Sequence, residues 1–74
     1  SINYQIHDQK LFIHLDNKIL SNDEKLEIFD LSGKLILSKL IPTEENEIFI
    51  NLKDLRNGIY IFKLFDNSVK FYKI

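Results

Sequence analysis

The sequence contains no cysteine and no methionine, and only two glycines and one proline among its 74 residues. Without cysteine, disulfide bonds and cysteine-based zinc sites are excluded. The scarcity of glycine and proline excludes a collagen-like or low-complexity chain. Since methionine is absent, we expect the sequence to be a segment of a longer protein. Its length predicts a single domain covering residues 1–74, which must be held together by its apolar core.

Neither sign of charge dominates, because the sequence has 10 basic and 11 acidic residues and an isoelectric point near 6.0. Domains that bind nucleic acid usually carry a basic excess, so no nucleic-acid partner is predicted. No apolar run approaches the roughly 20 residues that span a bilayer, so no membrane insertion is predicted. Ile, Leu, Phe and Val contribute 30 of the 74 residues, which excludes intrinsic disorder.

Apolar and polar side chains alternate along most of the chain, as in β-strands that bury one face. About seven short segments show this pattern, and residues favoured in turns separate them. The predicted turns lie at Asp8-Gln9, Ser32-Gly33, Pro42 to Asn46, Asn57-Gly58 and Asp66 to Ser68. Helical turns are considered only within Ile19 to Leu26 and from Leu52 to Leu55. The pattern predicts an all-β, seven-stranded Greek-key sandwich of the immunoglobulin-like type.

One spacing, L-x-x-G-x-Y, is formed by Leu55, Gly58 and Tyr60. A tyrosine two residues after a turn glycine, at the start of a strand, can fold back over the preceding connection. Its hydroxyl can then donate a hydrogen bond to a backbone carbonyl a few residues upstream, which is the tyrosine corner of Greek-key sandwiches. Gly58 is expected to supply the backbone freedom and Leu55 to pack beneath the connection.

The order of the motifs resembles the C-terminal sorting domain (type A) of type IX secretion cargo proteins from Bacteroidetes. The first shared element is the stretch from Ile28 to Lys34, an apolar strand that runs into Asp30-x-x-Gly33. The second is Ile50 to Leu52 followed by the Leu55, Gly58 and Tyr60 spacing. The third is a final hairpin with lysines near the end of the chain, here Lys63, Lys70 and Lys73. The resemblance covers roughly Lys25 to Ile74.

This resemblance implies a delivery signal that guides its parent protein through the outer membrane to the medium or the cell surface. The implied partners are the outer-membrane translocon, its shuttle protein, and a sortase-like peptidase that removes the domain and anchors the cargo. Strand Val69 to Ile74 is expected at a sheet edge, where it could dock by strand addition or pair two copies into a dimer. The residues implied to carry the motif and its recognition are Asp30, Gly33, Leu55, Gly58, Tyr60, Lys70 and Lys73.

The sequence contains few residues in arrangements that favour catalysis or metal binding. His7 and His14 could approach each other in a hairpin, but a metal needs three or four converging ligands, so exposed strand histidines are the better interpretation. No nucleophile motif or phosphate-binding glycine loop is present, so neither an enzyme nor a cofactor is predicted. Two alternatives remain: a non-catalytic adhesion or carbohydrate-binding module, with an aromatic platform drawn from Tyr4, Tyr60 or Tyr72, and a purely structural spacer.

Overall fold

The computed structural model describes residues 2–15, 24–42 and 44–74. Within these ranges the chain forms seven β-strands and no helix, which confirms the predicted all-β class. The strands are β1 (Ile2–His7), β2 (Lys10–Leu15), β3 (Glu24–Asp30), β4 (Leu35–Ile41), β5 (Glu47–Asn51), β6 (Gly58–Leu64) and β7 (Asn67–Lys73). In the described part of the chain there is accordingly no helix of the length and apolarity that a membrane crossing requires.

The strands pair into two antiparallel sheets, one with the order β1-β2-β5 and the other with the order β4-β3-β6-β7. After the β3–β4 hairpin, the chain crosses to the first sheet to form β5 beside β2. It then crosses back to form β6 beside β3. These returns to an earlier strand are Greek-key connections, so the predicted sandwich is confirmed. The order leaves β7, the last strand, at one edge of the four-stranded sheet.

The core lies between the two sheets and is built from the alternate residues that face inward. On β2 these are Leu11, Ile13 and Leu15, each no more than 1% exposed. The same two-residue period selects the buried side chains of the other strands, because successive residues point to opposite faces. The other buried apolar residues are Leu26, Ile28, Ile41, Ile48, Ile50, Leu52, Tyr60, Phe62, Leu64 and Phe71.

The hairpin turns agree with the predicted positions, with one shift. Asp8 and Gln9 both have positive φ, 52° and 60°, as a two-residue type I′ turn requires. The last hairpin turns at Phe65 and Asp66, one residue earlier than predicted, because Leu64 pairs with Asn67. This register keeps Leu64 buried, and a slip of one residue would turn its side chain to the opposite face. Phe65 therefore takes a φ of 56° despite its size.

Two segments of the described chain depart from regular strand alternation or from the helical turns considered above. The run Leu35-Ile36-Leu37 lacks alternation because the pairing of β3 with β4 is irregular there: Ile28 faces Leu37 and Phe29 faces Leu35. Ile36 is the extra residue of this β-bulge. The stretch 52–55 is a single turn closed by one hydrogen bond, not a helix. The other possible helical turn falls mainly on residues 16–23, outside the described residues, and residues 24–26 belong to β3.

Candidate functional site

The connection from β5 to β6, residues 52–57, forms an arch between the sheets. The hydroxyl of Tyr60 donates a hydrogen bond to the carbonyl oxygen of Arg56 at 2.7 Å. Its ring is 8% exposed and stacks on Phe71, with 5.8 Å between the ring centroids. Gly58 has a φ of 156°, which an L side chain rarely adopts, and Leu55 packs against the core. The predicted tyrosine corner is therefore present.

Lys73 lies beneath the same arch rather than in solvent. It is 5% exposed, and its ammonium group donates hydrogen bonds to the carbonyl oxygen of Leu55 at 2.9 Å and to Oδ1 of Asn57 at 3.4 Å. Gly58 is its partner across the β6–β7 ladder. Lys73 thus ties the end of the last strand to the arch, and its ammonium group points inward.

Asp30 closes the turn between β3 and β4. Its Oδ1 accepts hydrogen bonds from the hydroxyl of Ser32 at 2.6 Å and from the backbone N–H groups of Ser32 and Lys34. Gly33 occupies the left-handed position of this turn, with a φ of 90°. The hydroxyl of Ser32 and the amide of Lys34 favour the ionised carboxylate and hold the pKa of Asp30 below its usual value of 3.8.

This lowered pKa predicts a pH dependence of stability. A carboxylate whose pKa is lower in the folded than in the unfolded state stabilises the fold above pH 3.8, and this stabilisation is lost as the pH falls through the folded-state value. Asp30→Asn keeps an acceptor but removes the charge. Denaturant unfolding should therefore show the variant less stable than the parent at neutral pH, with the difference shrinking below pH 3.8. A difference that stays constant across this range would contradict the assignment.

Most of the motif residues meet at one end of the four-stranded sheet. The register places Asp30 opposite Tyr60, and Tyr60 opposite Phe71. Lys73 pairs with Gly58 two positions farther along the same strands, at the end nearer the arch. Residues separated by up to 43 positions thus form one structural unit, which joins the β3–β4 turn, the corner and the last strand. Lys70 stands apart from this unit, exposed and midway along β7.

The outer side of β7 pairs with no other described strand, although one of its carbonyl groups is held by a tyrosine of β1. The carbonyl oxygen of Lys70 accepts a hydrogen bond from the hydroxyl of Tyr4 at 3.4 Å, so it points away from β6. In an antiparallel pair, residues alternate between pointing their N–H and C=O groups at the partner strand and away from it. The groups of Ser68, Lys70 and Tyr72 therefore point outward. We call these groups the free edge of β7.

A small groove adjoins the free edge. It has a volume of about 250 Å³ and is lined by Tyr4, Ile59, Lys70, Phe71 and Tyr72. The ring of Tyr4 meets Phe62 edge-on at 5.6 Å, which fixes one wall of the groove against the core. Sequence patterns did not indicate this contact, because Tyr4 and Lys70 are 66 residues apart. Only the alternation of Ile2, Tyr4 and Ile6 along β1 indicated that the ring of Tyr4 faces inward.

A larger groove of about 600 Å³ lies on the outer face of the three-stranded sheet, remote from the motif residues. Its apolar part is the pair Phe12 and Phe49, whose ring centroids are 5.5 Å apart. Nδ1 of His14 lies 3.4 Å from Oε1 of Glu47. His14 pairs with Asn3 of β1, and His7 lies four residues farther along that strand. The histidines are thus roughly 13 Å apart along the strand. No cluster of three or more metal-ligand residues occurs within residues 2–15, 24–42 and 44–74.

The fold, the corner and the edge strand define a small β-sandwich with its sequence motifs gathered at one end of a sheet. Comparison with protein families matches residues 7–74 to the secretion system C-terminal sorting domain. The chain belongs to this family. The match begins at the end of β1 and so extends well beyond the region of the initial resemblance. A search of curated proteins found no match.

Membership of this family establishes the function in outline. The domain is a C-terminal sorting signal of type IX secretion, and it interacts with the machinery of that system. The protein that carries it is exported across the outer membrane, to be secreted or held at the cell surface. The alternative of an adhesion or carbohydrate-binding module is not favoured. Sorting domains of this family are not catalytic.

Proposed function

We propose that the secretion machinery reads this domain as a folded sandwich and docks on the free edge of β7. The observation that carries the proposal is the position of β7, an edge strand that directs the backbone groups of Ser68, Lys70 and Tyr72 outward. An exposed edge is a ready template for an added strand, since main-chain hydrogen bonds then supply affinity. The domain acts as a sorting signal of a longer secreted protein and catalyses no reaction itself.

The motif residues have two different roles in this proposal. Leu55, Gly58, Tyr60 and Lys73 hold the end of β7 in place beneath the arch, and the turn of Asp30 and Gly33 supports the neighbouring strand. These residues act on recognition indirectly, by fixing the position of β7. Of the two lysines implied to take part in recognition, Lys73 is buried and Lys70 is exposed, so Lys70 is assigned to direct contact.

The proposed partners are the outer-membrane translocon and its shuttle protein, followed by a sortase-like peptidase that removes the domain and anchors the cargo. A strand-paired dimer would use the same edge of β7 and would compete with these partners. The support for this sequence of events is the family together with the geometry of the edge.

The proposal is tested by joining the 74-residue chain to the C-terminus of a periplasmic reporter in a bacterium with a type IX system. We expect the reporter to appear in the medium or at the cell surface, and to lose the mass of the domain. The matched controls are the reporter alone and the reporter with the tail of an established cargo. If the established tail exports the reporter and this domain leaves it in the periplasm, the proposal fails.

A further inference from the structure

The outer side of the free edge is positively charged. Lys70 is exposed on the outer face of the sheet. On that face Ile61 of β6 lies between Lys70 and Phe29 of β3. Lys63 lies on the same face but on β6, opposite Glu27 of β3, and its ammonium group is 5.1 Å from the centroid of the Phe29 ring, on the side away from β7. Among the described residues, no carboxylate forms an ion pair with Lys70. A strand added to β7 would therefore meet an unneutralised lysine on this side.

The other side of the free edge is apolar. Tyr4 and Phe71 face the core side and form one wall of the groove of about 250 Å³, whose other lining residues, Ile59, Lys70 and Tyr72, belong to the outer face. Side chains of an added strand alternate between the two faces of the sheet. One set would therefore lie beside Lys70, and the other set would lie against the rings of Tyr4 and Phe71.

We propose that the occupant of the β7 edge is an extended protein segment in which acidic residues alternate with apolar ones. An acidic side chain lies beside Lys70, and the apolar side chains lie against the rings of Tyr4 and Phe71. This inference rests on the proposed function and specifies the chemistry of the segment that docks. Backbone pairing sets the register, and the alternation of charge and apolar surface provides the specificity.

A second copy of the chain is a poorer occupant of the same edge. Antiparallel pairing of β7 with its own copy would bring the two Lys70 side chains opposite or diagonal to each other on one face. Like charges at such positions are destabilising. An acidic segment replaces this repulsion with attraction, so charge complementarity selects it over self-pairing.

The test measures binding of short soluble peptides to the 74-residue chain, with two-dimensional NMR to locate the contact. The three peptides alternate Val with Glu, Val with Thr, and Val with Lys. We expect the Val/Glu peptide to bind about fivefold more tightly than the Val/Lys peptide at low salt, with the Val/Thr peptide between them. Shift changes should concentrate on β7, and the preference should shrink at high salt.

Two variants separate this inference from nonspecific attraction. Lys70→Glu should reverse the preference between the acidic and basic peptides, whereas Lys53→Glu, an exposed lysine on the arch, should leave it unchanged. Tyr72→Pro, which removes one outward N–H group, should weaken binding of every peptide. Equal binding of the three peptides, the same effect from both lysine variants, or shift changes away from β7 would overturn the inference.

The export assay distinguishes failure of this inference from failure of the proposed function. A reporter that stays in the periplasm contradicts the proposed function, whatever the peptides show. A reporter that is exported equally well by the parent domain and by Lys70→Glu, together with a flat peptide series, contradicts only the acidic character of the partner. Selective loss of export with Lys70→Glu, but not with Lys53→Glu, supports it.

Discussion

Tyr60→Ala should lower the free energy of unfolding by about 3–5 kcal/mol, as expected when a buried aromatic side chain is removed. The substitution removes the stacking on Phe71 and the hydrogen bond to Arg56. Domains of this length are stable by about 4–11 kcal/mol in total. The variant should therefore be partly or wholly unfolded at ambient temperature, with a loss of near-ultraviolet circular dichroism and a large fall in the denaturation midpoint.

Tyr60→Phe separates the hydroxyl from the ring. It keeps the stacking but leaves the carbonyl of Arg56 without its donor, so we expect a cost of about 1–2 kcal/mol. The matched controls are Tyr72→Phe and Tyr72→Ala at a site that is 59% exposed, where changes should stay within about 0.5 kcal/mol. If Tyr60→Phe were as mild as the Tyr72 controls, the hydrogen bond of the corner would not stabilise the arch.

Alternation in the sequence was sufficient to predict the strands and their buried faces. Leu11, Ile13 and Leu15 repeat every second residue, and only one face of β2 can take all three into the core. The corner was also predictable, because Leu55, Gly58 and Tyr60 are close in sequence and each has a local reason for its position. These features depend on short-range geometry, which a single sequence contains.

Lys73 shows where such reasoning fails. The family resemblance places it with Lys70 among the recognition residues, and its residue type gives no reason to expect burial, because lysine is almost never fully buried unless it is paired. Yet it shares the inward phase of Val69 and Phe71, and two acceptors on the arch satisfy its ammonium group. Its burial depends on where the arch lies in three dimensions, 16 to 18 residues earlier in the chain. The position of Lys73 two residues after Phe71 indicated an inward-facing side chain. The usual exposure of lysine was given more weight than this alternation.

Pairing between distant strands was likewise beyond local patterns. The sequence indicated an edge strand near the end of the chain but could not say which backbone groups it exposes. That follows from Tyr4, whose hydroxyl reaches the carbonyl of Lys70 across 66 residues. The register of the last hairpin also differed by one residue, because burial of Leu64 outweighed the turn preference of the residues from Asp66 to Ser68.

Blocking the free edge without unfolding the domain should abolish export. Deleting residues 69–74 would not show this, because Phe71 and Lys73 belong to the folded unit. Proline at position 68 or 72 removes an N–H group that points away from β6, and edge strands tolerate proline at such positions. We expect Ser68→Pro and Tyr72→Pro to reduce export of the fused reporter to the level of the reporter alone.

The controls are Ser68→Thr and Tyr72→Thr, which change the same side chains but keep the N–H groups. Both should be exported like the parent domain, since β-branched residues suit a strand. Thermal unfolding of the isolated variants should stay cooperative, because neither proline removes a hydrogen bond to β6. Normal export of a folded proline variant would show that the machinery does not pair with β7. Equal loss of export in the threonine variants would place recognition in the side chains instead of the backbone.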